Sequence, residues 1–285
     1  MKKALQDVAI FGIFLVSLAL AACTPAPSQQ AKGTDSQGIY ATTLHNSGED
    51  ESTAAYLAIA QRSQQLLAQL EAHTATFVMD AYNYQSIDDQ GTPLYTMNAH
   101  DLPVEIAPNG HCIRVSPNYF AQNPIETADG APLLDQLVQD PRTLNLLVPE
   151  QYRSQEADLL AAHLADFYFQ TVTATNDYNE MSGQPERLSL TPADLSIHLI
   201  YVKDGQRYFT YRADCAPQTG NWITDPVVQI YNGSIHCNYA HSILSQWAYY
   251  PSQAGSAEAA YQELLPYITA CGAQNSLRSL KPLAP

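Results

Sequence analysis

Beyond residue 22, Asp, Glu, Arg or Gln interrupts every apolar run of this chain, and a helix crossing a bilayer wants about 20 apolar residues. The apolar side chains, 46% of the whole, must therefore be buried against one another in a folded core. Their period changes repeatedly along the chain. Tyr56, Ile59, Leu66, Leu67 and Leu70 recur at helical spacing, whereas Thr76 to Tyr84 alternates as a strand. Asp88-Asp89-Gln90-Gly91 predicts a turn, and Leu94–Met97 and His111–Ser116 predict short strands. A short helix is expected over Ala131–Leu137 and a buried strand over Leu144–Val148. Pro149 suits a helix start, and Ala157, Leu160, Leu164 and Phe167 lie along one face of the helix it opens. Asn176 to Gln184 reads as a polar loop. Leu195–Val202 and Arg207–Tyr211, joined around Asp204-Gly205, make the clearest hairpin. Val227–Tyr231 adds a strand, and helices over His241–Tyr249 and Ser256–Ala270 close the chain, the second disturbed by Pro266. Separated helices and hairpins predict an α+β fold, a mixed or antiparallel sheet with flanking helices. About 230 residues from Thr53 onward make one large domain or two small subdomains.

The N-terminus carries an address. Met1-Lys2-Lys3, an apolar run from Val8 to Leu20 and Leu20-Ala21-Ala22-Cys23 have the order of an export signal over residues 1–22. The cysteine directly after Leu-Ala-Ala resembles the lipobox of bacterial lipoproteins. That resemblance implies that Cys23 becomes the mature N-terminus and carries diacylglycerol on its sulfur, placing the protein outside the cytoplasm on a membrane. Residues 23–52 are rich in Thr, Pro, Ser, Gln and Gly, with Ile39, Tyr40 and Leu44 their only large apolar side chains, so they read as a flexible, disordered tether.

Loss of the leader removes Lys2, Lys3 and Asp7 from 13 basic and 28 acidic residues, leaving 11 and 27, a net of −16. Such a surface repels nucleic acid and anionic headgroups and suits a cationic peptide. Besides Cys23 there are four cysteines, Cys112, Cys215, Cys237 and Cys271. In an oxidising compartment an even count predicts two disulfides among three connectivities, with Cys215–Cys237 and Cys112–Cys271 favoured. A metal site is the competing reading, since His111-Cys112 and His236-Cys237 repeat a dipeptide and His241 comes soon after. No Cys-x-x-Cys spacing supports it, and no cofactor is called for.

Four stretches share a familiar order and spacing: Val115-Ser116-Pro117-Asn118-Tyr119-Phe120 running on to Asn123-Pro124-Ile125, Leu144 to Tyr152, Leu199 to Gln206, and Ile223 to Val228. Together they resemble the extracytoplasmic domain of the bacteriocin-associated integral membrane proteins, an immunity-linked family similar to the permeases of macrolide-exporter-like ABC systems. The resemblance covers under half of the chain. It implies a role beside an ABC-type export or immunity permease, and offers no catalytic residues to carry over. Those family members continue into several transmembrane helices, which this sequence lacks.

Catalytic signatures such as Gly-x-Ser-x-Gly or His-Glu-x-x-His are missing. The sharpest enzyme candidate is Cys237 with His241, a thiol beside an imidazole that could lower its pKa. Asp88 with Asp89, and Asn176-Asp177 with Asn179-Glu180, lack calcium-loop spacing and read as solvated turns. His198 reads as a hydrogen-bonded strand residue, and Asn232-Gly233-Ser234 as a tight turn. Tyr201, Tyr208, Tyr211, Tyr249 and Tyr250, with Trp222 and Trp247, either pack the core or line a peptide or glycan groove. The expectation is a lipid-anchored binding or accessory protein. A solute-binding lipoprotein and a cell-envelope hydrolase are the alternatives.

Overall fold

The computed structural model describes residues 38–45, 52–98, 102–183 and 187–283. The expected leader and Cys23, the expected lipid attachment point, lie outside the described residues. The α+β expectation is met. Among the described residues eight strands make one mixed sheet and two more a small separate ribbon, and those from Gly38 onward form one compact unit.

The chain enters through β1 (Gly38–Leu44), inside the stretch expected to be tether. The correction has a simple cause. Ile39, Tyr40 and Leu44 are enough to seat an extended segment when neighbours bond both of its edges. β1 pairs antiparallel with β9 (Ala248–Ser252) on one side and β10 (Leu277–Pro282) on the other. Helix α1 (Thr53–His73) comes next, its N-terminus capped by Ser52 Oγ, which accepts from the Ala55 N–H. Its expected apolar stripe is buried from Ile59 to Leu70, and Leu57, Ala60 and Ser63 join it.

β2 (Phe77–Asp80) and β3 (Cys112–Val115) pair antiparallel, and β3 pairs parallel with β8 (Val227–Ile230). β4 (Thr143–Pro149), buried at every position, lies between β8 and β5 (Ser196–Val202). The full order is β10-β1-β9-β2-β3-β8-β4-β5. Short helix α2 (Leu133–Gln136) falls where the sequence predicts it. Leu94–Met97 is a 3-10 turn rather than a strand.

Three expectations fail for tertiary reasons. The hairpin is not one: β5 is held parallel to β4 through seven register pairs, Thr143↔Ser196 to Pro149↔Val202. Asp225 then accepts from the N–H groups of Gly205 and Gln206, turning β6 (Arg207–Phe209) onto β7 (Trp222–Thr224). Gly205, at φ +83°, supplies the left-handed backbone of that turn. The expected Asn176–Gln184 loop is largely helix as well. α3 (Glu156–Tyr168) runs through a π-helical turn, Phe169–Thr173, into α4 (Ala174–Met181). Finally α5 (Cys237–Gln246) starts and ends early, so that Tyr249 and Tyr250 fall on β9, and α6 (Ala257–Ala270) tolerates Pro266.

Period-two alternation sorts the sheet into two faces. Phe77, Val115 and Tyr249 share one face, where Phe77 meets Tyr119, Tyr211 and Tyr249 at 5.9, 5.1 and 5.4 Å between ring centroids. Val78, Asp80, Arg114 and Gln229 share the other, where Leu159 of α3 packs on Leu146, Val148 and Val227.

Candidate binding site

Register places three polar residues opposite one another on adjacent central strands: Asp80 on β2, Arg114 on β3 and Gln229 on β8. Polar atoms in the middle of a sheet must be paired or they destabilise it, and here they are. Arg114 Nε donates to Gln229 Oε1 at 2.6 Å, and its guanidinium reaches Asp166 Oδ2 of α3 at 3.1 Å. Gln229 Nε2 donates to Asp166 Oδ2 and to His163 Nδ1, both at 2.9 Å. Because Nδ1 accepts, the His163 proton sits on Nε2 and donates to the Ile106 carbonyl at 3.0 Å. Tyr239 of α5 donates to Asp80 and lies under the Arg114 cation, 5.6 Å from the ring centre.

The electrostatics have burial as their cause. Desolvation pushes His163 down to about 4, so the ring is neutral. Burial would raise Asp166, but the Arg114 charge and the Gln229 hydrogen bond outweigh it and hold the carboxyl below its ordinary range. The void beside this network, lined by Leu144, Phe167, Gln170 and Tyr231 among others, holds about 30 Å³. That is room for about one water, so the network is a satisfied keystone of the fold and not a ligand chamber.

A larger opening lies next to it. Gln170, on the π-helical turn, borders the void and accepts from His236 Nε2 at 3.1 Å, and His236 borders a groove of about 260 Å³. A π-turn inserts an extra residue and re-aims the side chains beyond it. Here Thr175, Tyr178 and Asn179 of α4 face Gln61, Gln64 and Gln65 of α1 across the groove, with His236 and Cys237 from the start of α5. The glutamines share a wall because i, i+3 and i+4 fall on one helical face. His236 is the N-cap of α5: its Nδ1 accepts from the Tyr239 N–H at 3.1 Å, which leaves the proton on Nε2 for Gln170. Burial pushes its pKa down to about 4. Tyr178 stacks on it at 4.9 Å and accepts from Asn238 Nδ2 at 2.8 Å. None of the eight lining side chains carries a formal charge at neutral pH.

The residues singled out from the sequence fall elsewhere or act otherwise. The expected disulfides are not formed, and Cys112, Cys215, Cys237 and Cys271 are all free. They sit in separate surroundings: Cys112 in the sheet beside Val227, Cys215 against the Ala81 carbonyl, Cys237 between Leu57 and Ala60, and Cys271 capping α6. Cys237 does not meet the demands on a nucleophile, since burial pushes its thiol up. His241 is engaged with α1, its Nδ1 3.0 Å from Ser63 Oγ and its ring edge-on to Tyr56 at 5.5 Å. Among the described residues no three His, Cys, Asp or Glu side chains could share a metal ion.

The aromatic set divides. Tyr208, Tyr249 and Trp247 are core, and Tyr211 packs against Phe77 and Tyr249. Trp222 packs on Phe209 under Arg207, and Tyr201 lies on β5 under Arg153. Tyr201 belongs to the eight-stranded sheet and Tyr208 to the small ribbon. Sequence reasoning passed over Arg114, His163, Asp166 and Gln229, and over the glutamine stripe of α1. A charged or amide residue in the middle of two apolar strands was the available signal for the former.

No protein-family model, no curated protein and no solved structure matches this chain.

Proposed function

We propose that the protein is a lipid-anchored extracytoplasmic binding protein that captures its ligand in the groove between α1, α4 and α5, as an accessory to an ABC-type export or immunity permease. The observation carrying this reading is the groove itself. It is an open, 260 Å³ concavity lined by hydrogen-bonding side chains, with a thiol pushed away from reactivity by burial. Such a surface recognises without transforming. The resemblance to the extracytoplasmic domain of immunity-associated permeases supports the accessory role, and the acidic exterior outside the uncharged groove suits a cationic surface of a partner protein or peptide.

The anchor sets the geometry of capture. With β1 starting at Gly38, only residues 24–37 separate it from Cys23. Fully extended, they span at most about 50 Å, so the groove works close to the bilayer at raised effective concentration. Two acyl chains on one cysteine give stable anchoring where one would be marginal.

The test joins both parts. Cys23→Ser should release the protein from the membrane fraction, and photo-crosslinkers at Gln61 and Asn179 on intact cells should capture a ligand or a permease. Retention of Cys23→Ser in the membrane, or crosslinks that a groove-filling Thr175→Trp leaves unchanged, would refute the proposal.

A further inference from the structure

We infer that the groove takes an uncharged sugar ring of a glycan chain; this rests on the reading of the protein as a binding protein. Two amide side chains on one face of α1, Gln61 and Gln65, each offer a donor and an acceptor, and Gln64, whose Nε2 already donates to the Ile235 carbonyl at 2.6 Å, adds its amide oxygen. Hydroxyl groups make the same double demand, so a polyhydroxylated ring can satisfy amides that a purely accepting or purely donating ligand would leave half-paired. Tyr178 adds an aromatic body, and its hydroxyl, already accepting from Asn238, still has a proton to give.

Charge decides against the other ligand classes. The chain as a whole is strongly acidic at −15, yet the groove holds no Asp or Glu for a cationic peptide and no Lys or Arg for a phosphate. His236 supplies no cation, since its Nδ1 is occupied by the helix cap and burial keeps the ring neutral. Apolar lining is confined to the Tyr178 ring and the Cys237 thiol, too little to hold hydrophobic peptide side chains. The volume also limits the occupant. At 260 Å³ the groove falls just below the roughly 300–1,000 Å³ of drug-sized sites, so one ring sits inside while the chain continues out of the open side.

The experiment uses the full chain purified in detergent and saturation-transfer NMR. The probes are tetra-N-acetylchitotetraose and maltotetraose, with an oligolysine peptide as the contrasting ligand. Saturation of the ring protons of either sugar is expected, little changed by 0.5 M NaCl. Gln61→Leu with Gln65→Leu keeps the side-chain bulk while deleting two amides, and should weaken affinity at least tenfold. Tyr178→Phe, which deletes only the hydroxyl, gives a milder second measure, a loss of a few fold. Groove-dependent binding of oligolysine in place of both sugars would overturn the ligand class and leave the binding reading standing. Sugar binding indifferent to the groove variants would also overturn the inference, and an absence of any binding at the groove would bring down both readings.

Discussion

The Arg114–Asp166 pair is the point where removing one side chain should cost most, and Arg114→Met measures it. The variant leaves the Asp166 carboxylate of α3 facing the sheet with no counter-charge and only the Gln229 amide as a hydrogen-bond donor. Breaking a buried ion pair from one side costs about 3–5 kcal/mol. The two side chains retain 22% and 20% exposure, so the lower end, about 3 kcal/mol, applies. In a domain of this size each kcal/mol shifts Tm by about 2–4 °C, which predicts a fall of about 6–12 °C. Adding Asp166→Leu removes the orphaned charge, and the double variant should return to within about 1 kcal/mol of wild type. Urea unfolding of wild type, both single variants and the double variant at pH 7 closes the cycle, with coupling of at least about 2 kcal/mol expected. Because Arg114 is what holds the Asp166 pKa low, the Arg114→Met deficit should also narrow as pH falls and the carboxyl takes up a proton. Strict additivity of the two substitutions, or a deficit that ignores pH, would refute the reasoning.

Other outcomes rest on the same structure. His163 and His236, both pushed down to about 4 by burial, are neutral in the fold and gain protons on unfolding. Their contribution is present above about pH 6.5 and is lost as pH falls toward 4, so chemical denaturation from pH 7 to 4.5 should show a steep acid limb that His163→Gln flattens. Glu71 has the opposite sign: burial pushes its carboxyl up to about 8, so its contribution declines as pH rises from 4.5 through 8. Glu71→Gln should therefore gain on wild type in melts between pH 7 and 9. Tyr40→Ala on β1, a residue only 7% exposed, should cost about 3 kcal/mol or more in urea titrations, an effect that a mere tether could not show. Thiol titration of the folded chain should find the buried Cys112, Cys215 and Cys237 slow to react and Cys271 faster. Denaturation should expose all four, and a reductant should leave Tm unchanged.

Much of the architecture was legible locally. The α1 stripe, the mostly apolar, fully buried β4 and the strands around Ile113 and Val228 announce themselves because a 3.6 or 2.0 period or an apolar run is written into neighbouring residues. The capping serines at 52 and 256 are equally local. The lipobox-like pattern around Cys23 is short-range too, and it directs the whole functional proposal. Pairing partners are another matter. Asp204-Gly205 looks like a hairpin turn from either side, and only the seven-residue register with β4 and the grip of Asp225 decide otherwise. Ile39, Tyr40 and Leu44 look too few to order a segment until β9 and β10 flank them.

The functional readings divide along the same line. Composition established an acidic chain without charge-bearing catalytic motifs, and no sequence window could show an uncharged groove within it. Gln61 and Asn179 are more than a hundred residues apart, as are Asp80 and Gln229, and each is an ordinary polar residue in its own neighbourhood. Periodicity along the chain records what each segment buries. Which segments meet depends on contacts summed over the whole fold, so the keystone network and the groove existed only once the sheet had closed.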